Sequence, residues 1–132
     1  MFNYEHSDQS ILLTDKAILI AKGSAPYDSN NALHQHNDCI RIAYIWLDHQ
    51  KVTKRTRFTA SAIKHDIERW AQRYISSSDL IVAAHMHPDI IINPAHHTLN
   101  IHQKFITPPI DYLYKISEAF KHPNYGDKQY HY

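Results

Sequence analysis

The chain has 132 residues, 43% of them hydrophobic and 20% charged, which is enough for one hydrophobic core but not two and argues against a disordered chain. Its formal net charge of +1 gives no large field that would favour nucleic acid or an anionic membrane. Its two glycines argue against a Gly-rich phosphate loop, and its one cysteine excludes an intramolecular disulfide framework.

In the N-terminal half, the sequence predicts strands and one short helix on either side of a loop. Residues 10–22 hold two apolar clusters on either side of Thr14, which predict a short strand followed by a helix capped by Thr14, with a tight hairpin as the alternative. Polar residues with a proline predict a loop over 23–37. Residues 40–47 are rich in β-branched and aromatic side chains and give the strongest strand prediction, and the more polar segment 52–58 is expected to pair with them.

The period changes after residue 60. Four apolar residues recur at helical spacing and predict an amphipathic helix over 61–74, with Thr59 or Ser61 as the N-cap: Ile63, Ile67, Trp70 and Tyr74. Both tryptophans, Trp46 and Trp70, are expected in the core. The apolar run 80–84 then predicts a buried strand.

The C-terminal part contains one long segment without periodicity, 89–106, which predicts a loop. Thr107 followed by two prolines predicts the start of a last helix with its apolar face formed by Ile110, Leu113, Ile116 and Phe120. The alternation of strands and helices predicts a single α/β domain over 1–132, built as a mixed β-sheet packed with two to three helices. Flexible ends are expected at 1–9 and 123–132.

Twelve histidines are present, and two of them follow the predicted strand 80–84 directly. Residues i and i+2 of a strand point to one face, about 6–7 Å apart, so His85 and His87 are expected to present two imidazoles side by side. Neutral imidazoles are good zinc ligands. The third ligand would come from nearby side chains, namely Asp89, His96, His97 or His102.

The segment His85-Met86-His87-Pro88, followed six residues later by Ala95-His96-His97-Thr98, resembles the paired motifs of the JAMM (JAB/MPN) metallohydrolases. The resemblance covers about residues 40–100. It implies a layered architecture like that of JAMM and cytidine deaminase domains, with His85 and His87 as zinc ligands. Thr98 stands where the family has an aspartate ligand and Ala95 where it has a serine, so His97 would complete the site. No glutamate matches the family's general base, and Asp38 or Asp48 would have to replace it.

Two functions follow as hypotheses. The first is a zinc-binding JAMM-like domain, with metal-dependent isopeptidase or hydrolase activity if a base is present. The second is a catalytically inactive, metal-free module that binds another protein, suggested by the altered second motif and by nine tyrosines. The chain is expected in the cytoplasm without a membrane partner.

Weaker alternatives concern three other features. The basic cluster Lys51, Lys54, Arg55 and Arg57 can contact phosphates, although such clusters are more often the solvated side of a hairpin, and nucleic acid is not expected as the partner. Cys39 near His36 suggests a thiol nucleophile, but a small core residue at a strand start is preferred. His65-Asp66 resembles the signature of the HD phosphohydrolases, which are all-helical and need further residues elsewhere.

Overall fold

The structure of the chain, a computed structural model, describes residues 13–27 and 32–121. These hold four α-helices, three two-residue strands and a 3-10 helix: α1 Asp15–Ser24, α2 Asn37–Asp48, β1 Phe58–Thr59, α3 Ala60–Ala71, α4 Ser77–Met86, β2 Ile92–Asn93, β3 Thr98–Leu99 and the 3-10 helix Ile110–Lys115. The α/β class is therefore confirmed at this coarse level. The predicted flexible ends, and the beginning of the predicted N-terminal strand, lie outside the described residues.

The strand predicted at 40–47 is wrong, because these residues form most of α2. The helix is buried nearly all round, with nine buried residues between Asp38 and Leu47. A helix that is apolar on every side belongs in the core, and its burial outweighs the β-propensity of the isoleucines and aromatic residues. The helix begins where Nδ1 of His36 accepts a hydrogen bond of 2.9 Å from the Asp38 amide.

The strand predicted at 80–84 is also wrong, because the run lies inside α4. The hydroxyl of Ser76 accepts a hydrogen bond of 3.0 Å from the Asp79 amide, which caps the helix. Ser76 and Asp79 thus form a Ser-x-x-Asp start signal for α4. All five residues of the run are buried, and α4 packs chiefly against α2.

Two helix predictions are confirmed. Thr14 caps α1 by accepting a hydrogen bond from the Ala17 amide, and Thr59 caps α3 by accepting one from the Ala62 amide. Three residues of the predicted apolar stripe, Ile63, Ile67 and Trp70, are buried, whereas Tyr74 follows the helix and is half-buried; both tryptophans lie in the core. The helix ends at Ala71, three residues before the predicted end, because Gln72 adopts a left-handed conformation (φ 51°).

The last predicted helix is shorter than expected. Only Ile110–Lys115 is helical, and it is of the 3-10 type. The chain becomes extended at Ile116 and left-handed at Phe120 (φ 65°), whose amide donates a hydrogen bond of 2.9 Å to the Ala71 carbonyl. Only half of the predicted apolar face is buried. Leu113 and Ile116 lie in the core, whereas Ile110 and Phe120 are 45% and 40% exposed.

The sheet is small and antiparallel, with β3 in the centre between β1 and β2. Leu99 of β3 lies opposite Phe58 on one side and Ile92 on the other. The segment 52–58 therefore pairs with β3 and its continuation, where Val52 bridges to Ile101, and its predicted pairing with 40–47 is wrong. Among the described helices, none combines the length and the apolar character needed to cross a bilayer.

Candidate functional site

The two histidines of the predicted zinc site end a helix rather than a strand. His85 is the penultimate residue of α4, and its exposed ring lies 3.0 Å from the Ser24 hydroxyl at the end of α1. His87 follows the helix as its C-cap, with its side chain only 4% exposed. The strand geometry that was expected to place both imidazoles on one face is therefore replaced by a helix end that separates them.

His87 makes a hydrogen bond with each ring nitrogen. Nδ1 lies 3.0 Å from the Asp89 amide, which can only donate, so Nδ1 is the acceptor and the ring proton is on Nε2. Nε2 then donates to Oδ1 of Asp48 over 2.6 Å, and the Asp48 side chain is 2% exposed. Asp48, one of the two residues expected to replace the missing base, is thus brought to His87. The result is a buried His–Asp pair in which both ring nitrogens are engaged.

The surroundings of this pair are apolar and acidic. The Tyr44 ring packs against the His87 ring with 5.1 Å between centroids. Burial raises the pKa of Tyr44 to about 12, with smaller contributions in the same direction from the carboxylates of Asp48 and Asp89. The second oxygen of Asp48 is buried and has no hydrogen-bond partner among the described residues.

The second half of the predicted metal motif lies in the turn between β2 and β3. His97 is left-handed (φ 55°), its amide donates to the Asn93 carbonyl, and its own carbonyl accepts from the Ala60 amide. The Asn93 side chain accepts from the amides of Ala95 and His96 and so shapes the turn. Thr98 belongs to β3. These contacts give His96 and His97 a structural position in the hairpin turn.

The residues present do not fit a zinc ion. A structural or catalytic zinc site needs at least three donors with free lone pairs, and the ring nitrogens of His87 are used by Asp89 and Asp48. In the described parts of the chain, no group of three or more His, Cys, Asp or Glu side chains is placed to hold a metal ion. Zinc binding by His85, His87 and His97 stays a prediction from sequence.

Two of the weaker candidates also have clear positions. Cys39 lies in α2, not at a strand start, but it is a core residue as preferred: it is 1% exposed and its thiol donates to the Tyr74 carbonyl. Burial raises the pKa of the Cys39 thiol to about 12, which is the opposite of what a thiolate nucleophile needs. His65 and Asp66 pair with Glu68 and Arg69 of their own helix.

A different set of residues gathers on the sheet. The segment that begins at Lys51 runs antiparallel to the segment that ends at Lys104, through the Val52–Ile101 bridge and the β1–β3 pair. The His102 amide donates to the Lys51 carbonyl over 2.7 Å, so the two ends lie side by side. We call the exposed cations of these two segments the basic face: Lys51, Lys54, Arg55, Arg57 and Lys104.

Three of these cations lie on a bulge. Val52 and Phe58 are six residues apart in the chain, but their partners Ile101 and Leu99 are only two apart. Residues 53–57 therefore form a bulge, which we call the basic bulge; its two ends stay on the sheet, because the Thr53 amide donates to the Asn100 carbonyl and the Arg57 amide donates to the Leu99 carbonyl. The hydroxyl of Thr53 donates to the Arg55 carbonyl over 2.8 Å and closes the bulge on itself.

Asn100 holds the base of the bulge. The residue is 2% exposed, and its side-chain amide donates to the carbonyls of Thr53 and Asp89. Its side-chain oxygen accepts from the Ile91 amide over 2.6 Å. Because one buried side chain satisfies three backbone groups from two segments, it fixes the bulge against the loop that precedes β2.

The cations of the basic face differ from most cations of the described helices, which form ion pairs; Lys16 and Lys22 of α1 are the exceptions. Within the described residues, none of its five side chains forms an ion pair, whereas Arg41, Lys64, Arg69 and Arg73 all do. The sequence accounts for part of the difference: residues 49–65 and 90–110 contain six of the 14 Lys and Arg, namely the five of the basic face and Lys64, but none of the 13 Asp and Glu. The rest of the chain holds eight basic and thirteen acidic residues, so the charges are segregated.

A pocket of about 350 Å³ opens at one end of the basic face, lined by Lys51, His102, Lys104, Phe105 and Ile106. No sequence pattern predicted this pocket or the role of Asn100. Two signals in the sequence could have indicated the basic face itself: the absence of acidic residues from 49–65, and the same absence from 90–110. Each is weak alone, and only the β1–β3 pairing brings the two segments together.

Comparisons with known proteins do not identify the chain. No family model matches it, and neither a curated protein nor a solved structure is significantly similar to it.

Proposed function

We propose that this chain is a binding module for single-stranded nucleic acid that contacts the phosphate backbone through the basic face. The observation that carries the proposal is the set of five exposed cations with no carboxylate partner among the described residues. Exposed cations that are left unpaired on one face are free to neutralise phosphates and to release the counterions that surround them.

The form of the surface supports a backbone contact. Lys54, Arg55 and Arg57 project on a bulge whose base is fixed by Asn100, so the cations are presented from an ordered support. Guanidinium groups present a planar fork of donors that matches phosphate oxygens, and lysines add point charges. Such contacts position a strand without reading its sequence.

The choice of a single strand follows from the elements that carry the face. Reading duplex DNA in the major groove requires a helix or a long β-ribbon, whereas these cations lie on a bulge and on strands of two residues. Single-strand binders combine a positive groove with aromatic side chains on which bases stack. Phe105 in the pocket beside Lys51 and Lys104 supplies such a ring.

Two other hypotheses remain predictions from sequence. The zinc-dependent hydrolase of JAMM type, and the layered JAMM-like architecture it implies, are not what we propose, because both nitrogens of His87 are engaged. The metal-free protein-binding module shares with our proposal a non-catalytic role and differs in its partner. Because any polyanion could be attracted to the basic face, the affinity for nucleic acid must be compared with the affinities for heparin and anionic vesicles.

The proposal is tested by fluorescence anisotropy with a labelled single-stranded oligonucleotide of mixed sequence at low salt. Charge reversal in the bulge, K54E with R55E, should weaken binding by about 10- to 100-fold, because attraction to two phosphates becomes repulsion. The matched control is K16E with K22E on α1, which makes the same change in net charge away from the basic face. We expect the control to change affinity by less than about threefold.

Three outcomes would contradict the proposal. The first is that the wild-type chain binds no oligonucleotide. The second is that the bulge variant and the control variant weaken binding equally, which would indicate attraction by net charge alone. The third is that the chain would bind heparin or anionic vesicles more tightly than the oligonucleotide at equal charge.

A further inference from the structure

The pocket at the end of the basic face has the composition of a phosphate site with an apolar floor. Two lysines, Lys51 and Lys104, line it together with His102, and the remaining lining residues are Phe105 and Ile106. We propose that it binds the terminal nucleotide of a strand that carries a phosphate monoester at its end. This inference rests on the proposed function and specifies which part of a nucleic acid the molecule selects.

The walls of the pocket are held in place before any ligand binds. Gln50, which is 7% exposed, donates to the Ile106 carbonyl over 2.7 Å and accepts from the Ile106 amide over 2.9 Å. On the other side the His102 amide donates to the Lys51 carbonyl. The backbone on both sides of the pocket is therefore held by residues 50–51 before a ligand binds, and the cost of ordering on binding is confined to side chains.

The polar groups favour a phosphate monoester over an internal phosphodiester. Nδ1 of His102 accepts a hydrogen bond of 3.1 Å from the Lys104 amide, so a proton on this ring is carried by Nε2, which is then a donor. Two ammonium groups and an imidazole N–H together suit an anion with nearly two charges and three acceptor oxygens. A terminal phosphate has this chemistry, whereas a phosphodiester carries one charge.

The apolar floor suits a base or a sugar. The Phe105 ring is fixed by edge contacts with Trp46 and Phe58, at 5.4 and 5.2 Å between centroids, and so offers a rigid surface. A volume of about 350 Å³ lies within the range of roughly 300–1,000 Å³ of small-ligand sites, at the small end that a single nucleotide fills. Lys51 and Lys104 belong both to the pocket and to the basic face, so a strand that follows the bulge can end here.

The experiment compares oligonucleotides of one sequence that carry a phosphate on the 5′ end, on the 3′ end, or on neither. We expect one phosphorylated end to raise affinity about tenfold, because its additional charge and acceptor oxygens meet two ammonium groups. The pocket variant H102Q with K104Q should abolish this gain. The bulge variant K54Q with R55Q should weaken all three oligonucleotides and keep the ratio between them.

Equal affinity of the three oligonucleotides for the wild-type chain would overturn the inference and leave the proposed function intact. Retention of the phosphate gain in H102Q with K104Q would overturn it as well. Adenosine monophosphate tests the pocket without the proposed function. If it binds the wild-type chain but not the pocket variant, and no oligonucleotide binds, the proposed function fails and the pocket is a mononucleotide site.

Discussion

Arg73 and Arg57 carry the same guanidinium group but lie in two different regions of the molecule. Arg73 belongs to the packed helices, which we call the helical region, and Arg57 belongs to the small sheet and its bulge, which we call the sheet region. Arg73, among the helices, is 4% exposed and donates hydrogen bonds to the side chains of Gln35 and Glu118. Arg57, on the bulge, is exposed, and its side chain forms no ion pair within the described residues. Arg73 thus helps to stabilise the packing of the helices, whereas Arg57 is available to a ligand.

This contrast shows that net charge is a poor guide to a polyanion site. A formal charge of +1 is the sum of an acid-free sheet region and an acidic remainder, and a strand that meets only the sheet region experiences the local field. Position in the fold also decides the role of a charged side chain. Arg73 bonds other side chains of the same chain and so stabilises the fold. Substitutions in each region should therefore separate stability from binding.

The buried histidine of the helical region should give the greatest loss of stability. H87A removes the hydrogen-bond partner of Asp48 and leaves a buried carboxylate alone, which should lower the free energy of unfolding by about 3–5 kcal/mol. H85A is the matched control, because His85 is exposed and, among residues 13–27 and 32–121, its ring bonds Ser24 alone; the variant should cost about 0.5 kcal/mol or less. Urea unfolding of both variants measures the difference.

The same two variants test the zinc hypothesis. A zinc site shared by the two histidines would lose its metal in both, and elemental analysis would find one zinc per wild-type chain that a chelator removes. We expect no stoichiometric zinc and unequal losses of stability. One zinc per wild-type chain, with equal loss of stability in H87A and H85A, would support the zinc site and contradict our account.

The two arginines should give opposite effects. R73A should lower the free energy of unfolding by about 2–3 kcal/mol, because a nearly buried guanidinium bonds two side chains and its partners lose their donor. R57A should change stability by about 0.5 kcal/mol or less and weaken oligonucleotide binding severalfold. If the two variants affected stability to the same extent, the division between the regions would be lost.

Asn100 lies at the junction of structure and function. N100A leaves three partly buried backbone groups without their partner and should cost about 2 kcal/mol, and the bulge should lose its fixed base. Oligonucleotide affinity should fall even though no charge is removed. Hydrogen exchange of residues 53–57 checks this directly, and unchanged protection there would argue against Asn100 as the positioning residue.

The single cysteine gives the most modest prediction. Because burial raises the pKa of Cys39 to about 12, the thiol stays protonated at pH 8 in the folded chain, and alkylation by iodoacetamide should be slow until the chain is unfolded. Fast labelling of the native protein would show that the packing around α2 opens readily in solution.

The sequence was informative where a cap and a period agreed. Thr59 followed by Ile63 and Ile67 predicted α3, and Thr14 predicted the start of α1. The run 40–47 misled because β-branched residues around a fully buried helix look locally like a strand. The run 80–84 misled because a short apolar run is typical of a buried strand, while Ser76, which caps the helix, lies four residues before the run.

The candidate site was harder to predict than the fold. The histidines drew attention because they are many and closely spaced, yet the partner that explains His87 is Asp48, 39 residues away in the chain. The basic face depends on a pairing between Phe58 and Leu99, which are distant in the chain. Neither spacing nor propensity specifies such a contact, because it is set by the packing of the helices between the two segments.

The salt dependence of oligonucleotide binding by the wild-type chain shows whether the basic face meets phosphates at all. If its five side chains neutralise phosphates, log K should fall with log salt with a slope of about −3.5, so that affinity drops about 100-fold between roughly 50 and 200 mM. A slope near zero would mean that the unpaired cations do not contact the strand, and it would contradict the proposed function.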